Sequence, residues 1–110
     1  MNKLDRFAET IAAYRRHGWQ LRRVLMTVEG AEIRESDKAL FEGLAIDQAP
    51  MDALWFSRPS PNSREAWELR LVAETPYALF EAFEADETEE QREEVRREME
   101  ARMREYITKD

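Results

Sequence analysis

The sequence predicts an α+β fold: a small sheet of three or more strands, including a hairpin over 51–74, packed by an N-terminal helix and a C-terminal helical segment. Three observations predict it. Apolar residues recur at spacings of three and four near the start, the signature of an amphipathic helix. Two alternating stretches flank the loop-forming residues PSPNS in the middle. A run without glycine or proline, dense in charge, closes the chain. At 110 residues the expectation is one domain, 1–110. A folded chain of this size hides roughly two-thirds of the surface its unfolded form exposes, so a core is within reach without disulfides or metals.

Over 3–17, Leu4, Phe7, Ala8, Ile11 and Tyr14 share one helical face. Gly18 stops the helix, and Arg15, Arg16 and His17 sit in the last turn, where cations suit the helix dipole. The stretch WQLRRVLMTV, 19–28, reads as a strand. Strict alternation puts Trp19, Leu21, Arg23 and Leu25 on one face and Gln20, Arg22, Val24 and Met26 on the other. Glu29-Gly30 breaks it, with room for a short return strand through Ile33.

Residues 36–43 read as a short helix capped by Ser36, with Leu40, Phe41 and Leu44 as its apolar side and Gly43 at its end. The same stretch is short enough for a strand. Residues 45–50 read as a connection. MDALWFSR, 51–58, and REAWELRLVAE, 64–74, read as the two strands of the hairpin. In the second, Trp67, Leu69 and Leu71 oppose Glu68, Arg70 and Glu74. Thr75-Pro76 then carries the cap-and-first-turn pattern of a helix, made apolar by Tyr77, Leu79, Phe80 and Phe83, with a break near Asp86 and Thr88. A charged helix follows over 88–108, its stripe formed by Val95, Met99, Met103, Tyr106 and Ile107. Glu93–Arg97, Glu98–Arg102 and Glu100–Arg104 stand four apart, acid first, and each pair supports an exposed helix by about 0.3 kcal/mol. One continuous bent helix from Tyr77 onward is the alternative. No internal repeat or linker interrupts this order.

Charge is distributed unevenly. The net charge is −7. Residues 1–34 hold seven bases and four acids, residues 35–74 four and eight, residues 75–110 six and twelve. An acidic whole repels nucleic-acid phosphates and argues against that class of partner. A basic first third and an acidic last third would attract each other within a chain or between two. There is no cysteine, which fits a reducing compartment. The N-terminus has Asp5 and Glu9 where an export signal needs an apolar run, and no stretch reaches the roughly 20 apolar residues of a membrane span. The expected location is the cytoplasm, with no membrane association.

Catalytic patterns are not apparent. His17 is the only histidine and is explained by its place at a helix end. The acids Glu29, Glu32, Glu35 and Asp37, and Asp86, Glu87, Glu89 and Glu90, lack calcium-loop spacing; the second group suits a helix start. Gly18, Gly30 and Gly43 form no phosphate loop. Arg15, Arg16, Arg22, Arg23 and Arg34 are the basic concentration, but alternation splits Arg22 from Arg23. No metal, no catalytic residue and no cofactor is expected.

The sequence therefore points to a small interaction or structural module that self-associates or binds a protein partner. Its candidate surface comprises Trp19, Trp55, Trp67, Arg70, Met99 and Met103. The tryptophans qualify because the strands carry aromatic residues on both faces, and exposed aromatic faces mark interaction sites; burial under a helix is the simpler reading for each. The methionines qualify because thioethers adapt to a partner helix, with docking on the same domain as the simpler reading. The alternative is a ligand-binding protein or enzyme with a pocket lined by Trp67, Tyr77 and Phe80 and anchored by Arg70. Third comes nucleic-acid binding by the basic third.

Overall fold

The structure is a computed structural model, and it describes residues 2–27 and 39–109. The first helix, α1 (Lys3–Arg16), starts at Asn2, whose side chain accepts from the Asp5 amide at 2.8 Å. It ends in paired closing bonds. The Gly18 amide donates to the Arg15 carbonyl, and the Trp19 amide to the Tyr14 carbonyl. Gly18 sits at φ +83°, a region open to glycine without cost. The Tyr14 and Trp19 rings then meet edge to face, 6.0 Å between centroids.

Five strands follow: β1 (Gln20–Met26), β2 (Ile46–Gln48), β3 (Ala53–Ser60), β4 (Arg64–Leu71) and β5 (Tyr77–Phe83), then the helix α2 (Glu89–Thr108). They form one sheet in the order β2-β1-β3-β4-β5. Only β1 and β2 run parallel; the other neighbours are antiparallel. The α+β expectation holds, with α1 on one face of the sheet and α2 on the other. Beneath α1, Phe7 and Ile11 meet Leu21, Val24, Met26, Phe41, Leu54 and Phe56. Beneath α2, Met99 and Met103 meet Leu25, Ala53, Trp55, Trp67, Leu69 and Phe83. This explains why β3 reads as apolar on both sides: it is the central strand, and Ala53 to Ser57 are all buried.

The hairpin is β3–β4, in unbroken register from Ala53↔Leu71 to Ser60↔Arg64. Its loop shrinks to Pro61, Asn62 and Ser63, with Asn62 and Ser63 at positive φ. Pro59 lies in β3 beyond the stretch that pairs with β1, so its missing N–H leaves no gap in the sheet.

Three expectations are corrected. Residues 76–83 form no helix. Tyr77, Leu79 and Phe83 alternate onto the α2 face as β5, which pairs with β4 from Glu65 to Leu71. Their spacing of two, four and six satisfies a strand, and pairing with β4 outweighs the helix-start signal of Thr75-Pro76. Residues 45–50 are more than a connection, because Ile46–Gln48 pairs with Val24–Met26. And β1 does not alternate strictly. The register slips between Leu21 and Arg23, making Arg22 the extra residue of a β-bulge. Arg22 lies over the Trp67 ring and Arg23 reaches Glu93 of α2, so both arginines face α2 while Leu21, Val24 and Met26 all face α1. Of the expected short helix 36–43, residues 39–41 form a single 3₁₀ turn, closed by Glu42 N–H to the Ala39 carbonyl. Its start at Ser36 and the return strand through Ile33 lie outside the described residues.

The break before the last helix is where the sequence placed it. Thr88 caps α2, accepting from the Gln91 amide at 3.1 Å while the Gln91 side chain accepts from the Thr88 amide at 2.8 Å. No helix among the described residues is long and apolar enough to cross a membrane.

Candidate interaction surface

The two helices cover unequal parts of the sheet. α2 runs the length of β5. At one end Tyr106 stacks on Tyr77, 3.7 Å between centroids; at the other the Arg92 guanidinium lies 5.6 Å from the Phe83 ring. Between them Arg96 is 2% exposed and rests 3.9 Å over the Trp67 ring. It donates to Glu93 at 2.8 Å and to Glu89 at 3.1 Å. Arg23 grips the same Glu93 through both terminal nitrogens, at 2.8 and 3.1 Å. The Arg23 bond, opposed by burial and aided by Arg96, holds the Glu93 carboxyl below the usual carboxylate range. Trp55 Nε1 donates to Glu100 at 2.8 Å. This layer is closed and internally satisfied but for the Nε atoms of Arg92 and Arg96.

α1 covers less. It packs on β1 and β3 and touches β4 through the Tyr14 hydroxyl, which donates to Glu68. Burial first, then the Glu68 bond, push the Tyr14 hydroxyl well above the ordinary tyrosine range. Ala66 of β4 also joins the α1-side core, but beyond these contacts the α1 face of β5 lies open. Phe80 is 57% exposed, Ala78 beside it is exposed, and no residue of β5 joins the α1-side core. Between α1 and β4 runs a trough with clefts of about 480 Å³ and 340 Å³ that share Glu9, Thr10 and Arg70. Arg70 Nε is committed to the Leu71 carbonyl at 3.1 Å.

β5 is also the last strand of the sheet, so its outer backbone groups pair with no strand among the described residues. The other end is different. β2 offers three residues, with Asp47 exposed, and Pro50 follows. β5 offers seven residues with one charge, Glu81, and neither proline nor bulge. Natural sheets normally guard an edge by shortening, charging or kinking it. One end of this sheet is guarded in that way and the other is not.

Of the residues singled out in the sequence, Trp19, Trp55 and Trp67 are 8%, 0% and 3% exposed, and Met99 and Met103 are 0% exposed. They are core residues, and the methionines dock on the chain's own sheet. Arg70 alone borders an open surface. The envisaged pocket is not assembled: Trp67 and Tyr77 face α2, whereas Arg70 and Phe80 face α1. His17 is exposed at the end of α1, with Nδ1 3.1 Å from the Ala13 carbonyl oxygen. Among the described residues no cluster of three His, Cys, Asp or Glu is placed to hold a metal ion.

Sequence reasoning missed the edge of β5 and assigned Phe80 to a helix and a ligand pocket, not to an open sheet face. The available signal was the alternation Tyr77-Leu79-Glu81-Phe83 against Ala78-Phe80-Ala82, which the helix reading overrode. Comparison with protein-family models, with curated proteins and with solved structures finds no match, so function has to be read from the chain's own geometry.

Proposed function

We propose that this chain is a small non-catalytic interaction module that takes a protein strand onto the outer edge of β5, with Phe80 as the contact beside it. The observation behind this is the unguarded seven-residue edge, with the most exposed large apolar side chain of the described residues at its midpoint. An added strand satisfies the outer backbone groups of β5 and brings its side chains alongside Phe80 on the open face, which is how extended peptides join exposed sheet edges. The cysteine-free composition suits work in the reducing cytoplasm.

The test is selection from a displayed library of random peptides against the dilute protein, with Phe80→Glu as counter-target. The expected outcome is a set of extended, β-branched and aromatic peptides that bind the native chain and lose binding to the variant. Phe80 is mostly solvent-exposed, so the variant should keep its melting temperature. Peptides that bind both proteins equally, or no enrichment at all, would refute the proposal.

A further inference from the structure

We infer that the strand received by β5 is β5 of a second copy of this chain, antiparallel and centred on Phe80, so that two five-stranded sheets join into one. This rests on reading β5 as a binding edge and goes beyond it by naming the occupant.

The first argument is the strand's near-palindrome. A two-fold axis through Phe80 sets Ala78 opposite Ala82 of the second copy, Tyr77 opposite Phe83, and Leu79 opposite Glu81. Aromatic meets aromatic and small meets small. The single charge meets leucine and not its own copy, avoiding the like-charge opposition that destabilises cross-strand pairs. On the open face the pattern is small-large-small: Ala78, Phe80, Ala82. The diagonal neighbours of each Phe80 ring are then alanines of the other copy, which leave the space a phenyl ring needs.

The second argument is charge on the helix layer. An axis perpendicular to the sheet keeps both copies of α2 on one face, antiparallel. Because α2 lies over β4 and β5, the two helices would stand about 10 Å apart, two strand spacings, near the usual packing distance of helices. The acid-rich start, Glu89, Glu90 and Glu94, then faces the half of the helix that carries Arg102 and Arg104, with Lys109 at its cap, against the single acid Glu105 of a last turn that holds no base. Opposite charge and opposite helix dipoles meet twice by symmetry.

The chain has no cysteine, so single cysteines report register directly. Under mild oxidation Phe80→Cys should crosslink to itself. Ala78→Cys and Ala82→Cys should crosslink when mixed and not separately. Light scattering from micromolar to submillimolar concentration should approach twice the 13.1 kDa of one chain, and Phe80→Glu, folded by circular dichroism, should remain a monomer. A native chain that stays monomeric throughout, or Ala78→Cys that crosslinks with itself, overturns the inference. A monomer that still enriches peptides dependent on Phe80 keeps the edge-binding module and loses only self-pairing. A monomer that enriches none loses both.

Discussion

Arg96 illustrates what a single residue contributes and what the sequence hides. In the linear pattern it is one more charge on a charged helix. In the fold it is buried between Trp67 and Phe83, its charge answered by Glu89 and Glu93. The pairs expected four apart were local, whereas Glu93 is engaged by Arg23, seventy positions away in sequence. Glu89 is solvated and Glu93 keeps Arg23, so the loss falls on the packing of Arg96 between Trp67 and Phe83, and Arg96→Ala should cost about 2 kcal/mol in urea unfolding. Glu93 gives this cluster a pH dependence. Its folded-state pKa lies below its unfolded value, so the stability it supplies is full above the ordinary glutamate range. That stability is lost as pH falls through the depressed value. Denaturation curves from neutral pH into that acid range should show the loss. Glu93→Gln should be about 1–2 kcal/mol less stable at neutral pH and lose less on acidification.

At the scale of elements, legibility followed the range of the interactions. α1, α2 and the β3–β4 hairpin were legible because caps, turns and hydrophobic period are local. β2 was not, since three residues carry too little pattern and its existence depends on pairing with β1. β5 was misread because Tyr77, Phe80 and Phe83 also fit a helix, and only β4 decides otherwise. The bulge at Arg22 was invisible for a further reason: an inserted residue breaks the very alternation used to find strands. It predicts an unusual contrast. Arg22→Ala should cost less than about 1 kcal/mol, because the side chain is exposed. Inserting one alanine between Val24 and Leu25 should cost more than about 4 kcal/mol, because it turns either Leu21 and Val24 or Met26 to the wrong face, whereas Arg22 is the one residue whose loss would leave all three on the α1 face. Thermal melts of the two variants separate the cases. At the start of α2, Thr88→Ala should cost about 1 kcal/mol through loss of the capping box.

For the whole molecule, the sheet is the shared wall of two cores, each closed by one helix. Ending the chain before Thr88 would remove Met99, Met103 and Arg96 and expose Trp55 and Trp67. Such a chain should show red-shifted tryptophan emission and bind a hydrophobic dye, whereas the intact chain should do neither. Of the candidate surface, the sequence identified the kind of residue but not its place. The tryptophans lie in the core because a five-stranded sheet with a helix on each face can bury all three, and the sequence revealed only three of the strands. The most exposed aromatic among the described residues is Phe80, on the strand that was taken for a helix.

The contrast between the two ends of the sheet has a further consequence, best put in the language of polymer chemistry. A unit with two reactive ends grows without limit, and strand edges that add head to tail lead to fibres. A unit with one reactive end couples once and stops. With β2 only three residues long and β5 seven, the pairing inferred above would make this chain monofunctional, and its coupling product would carry the short end on both sides.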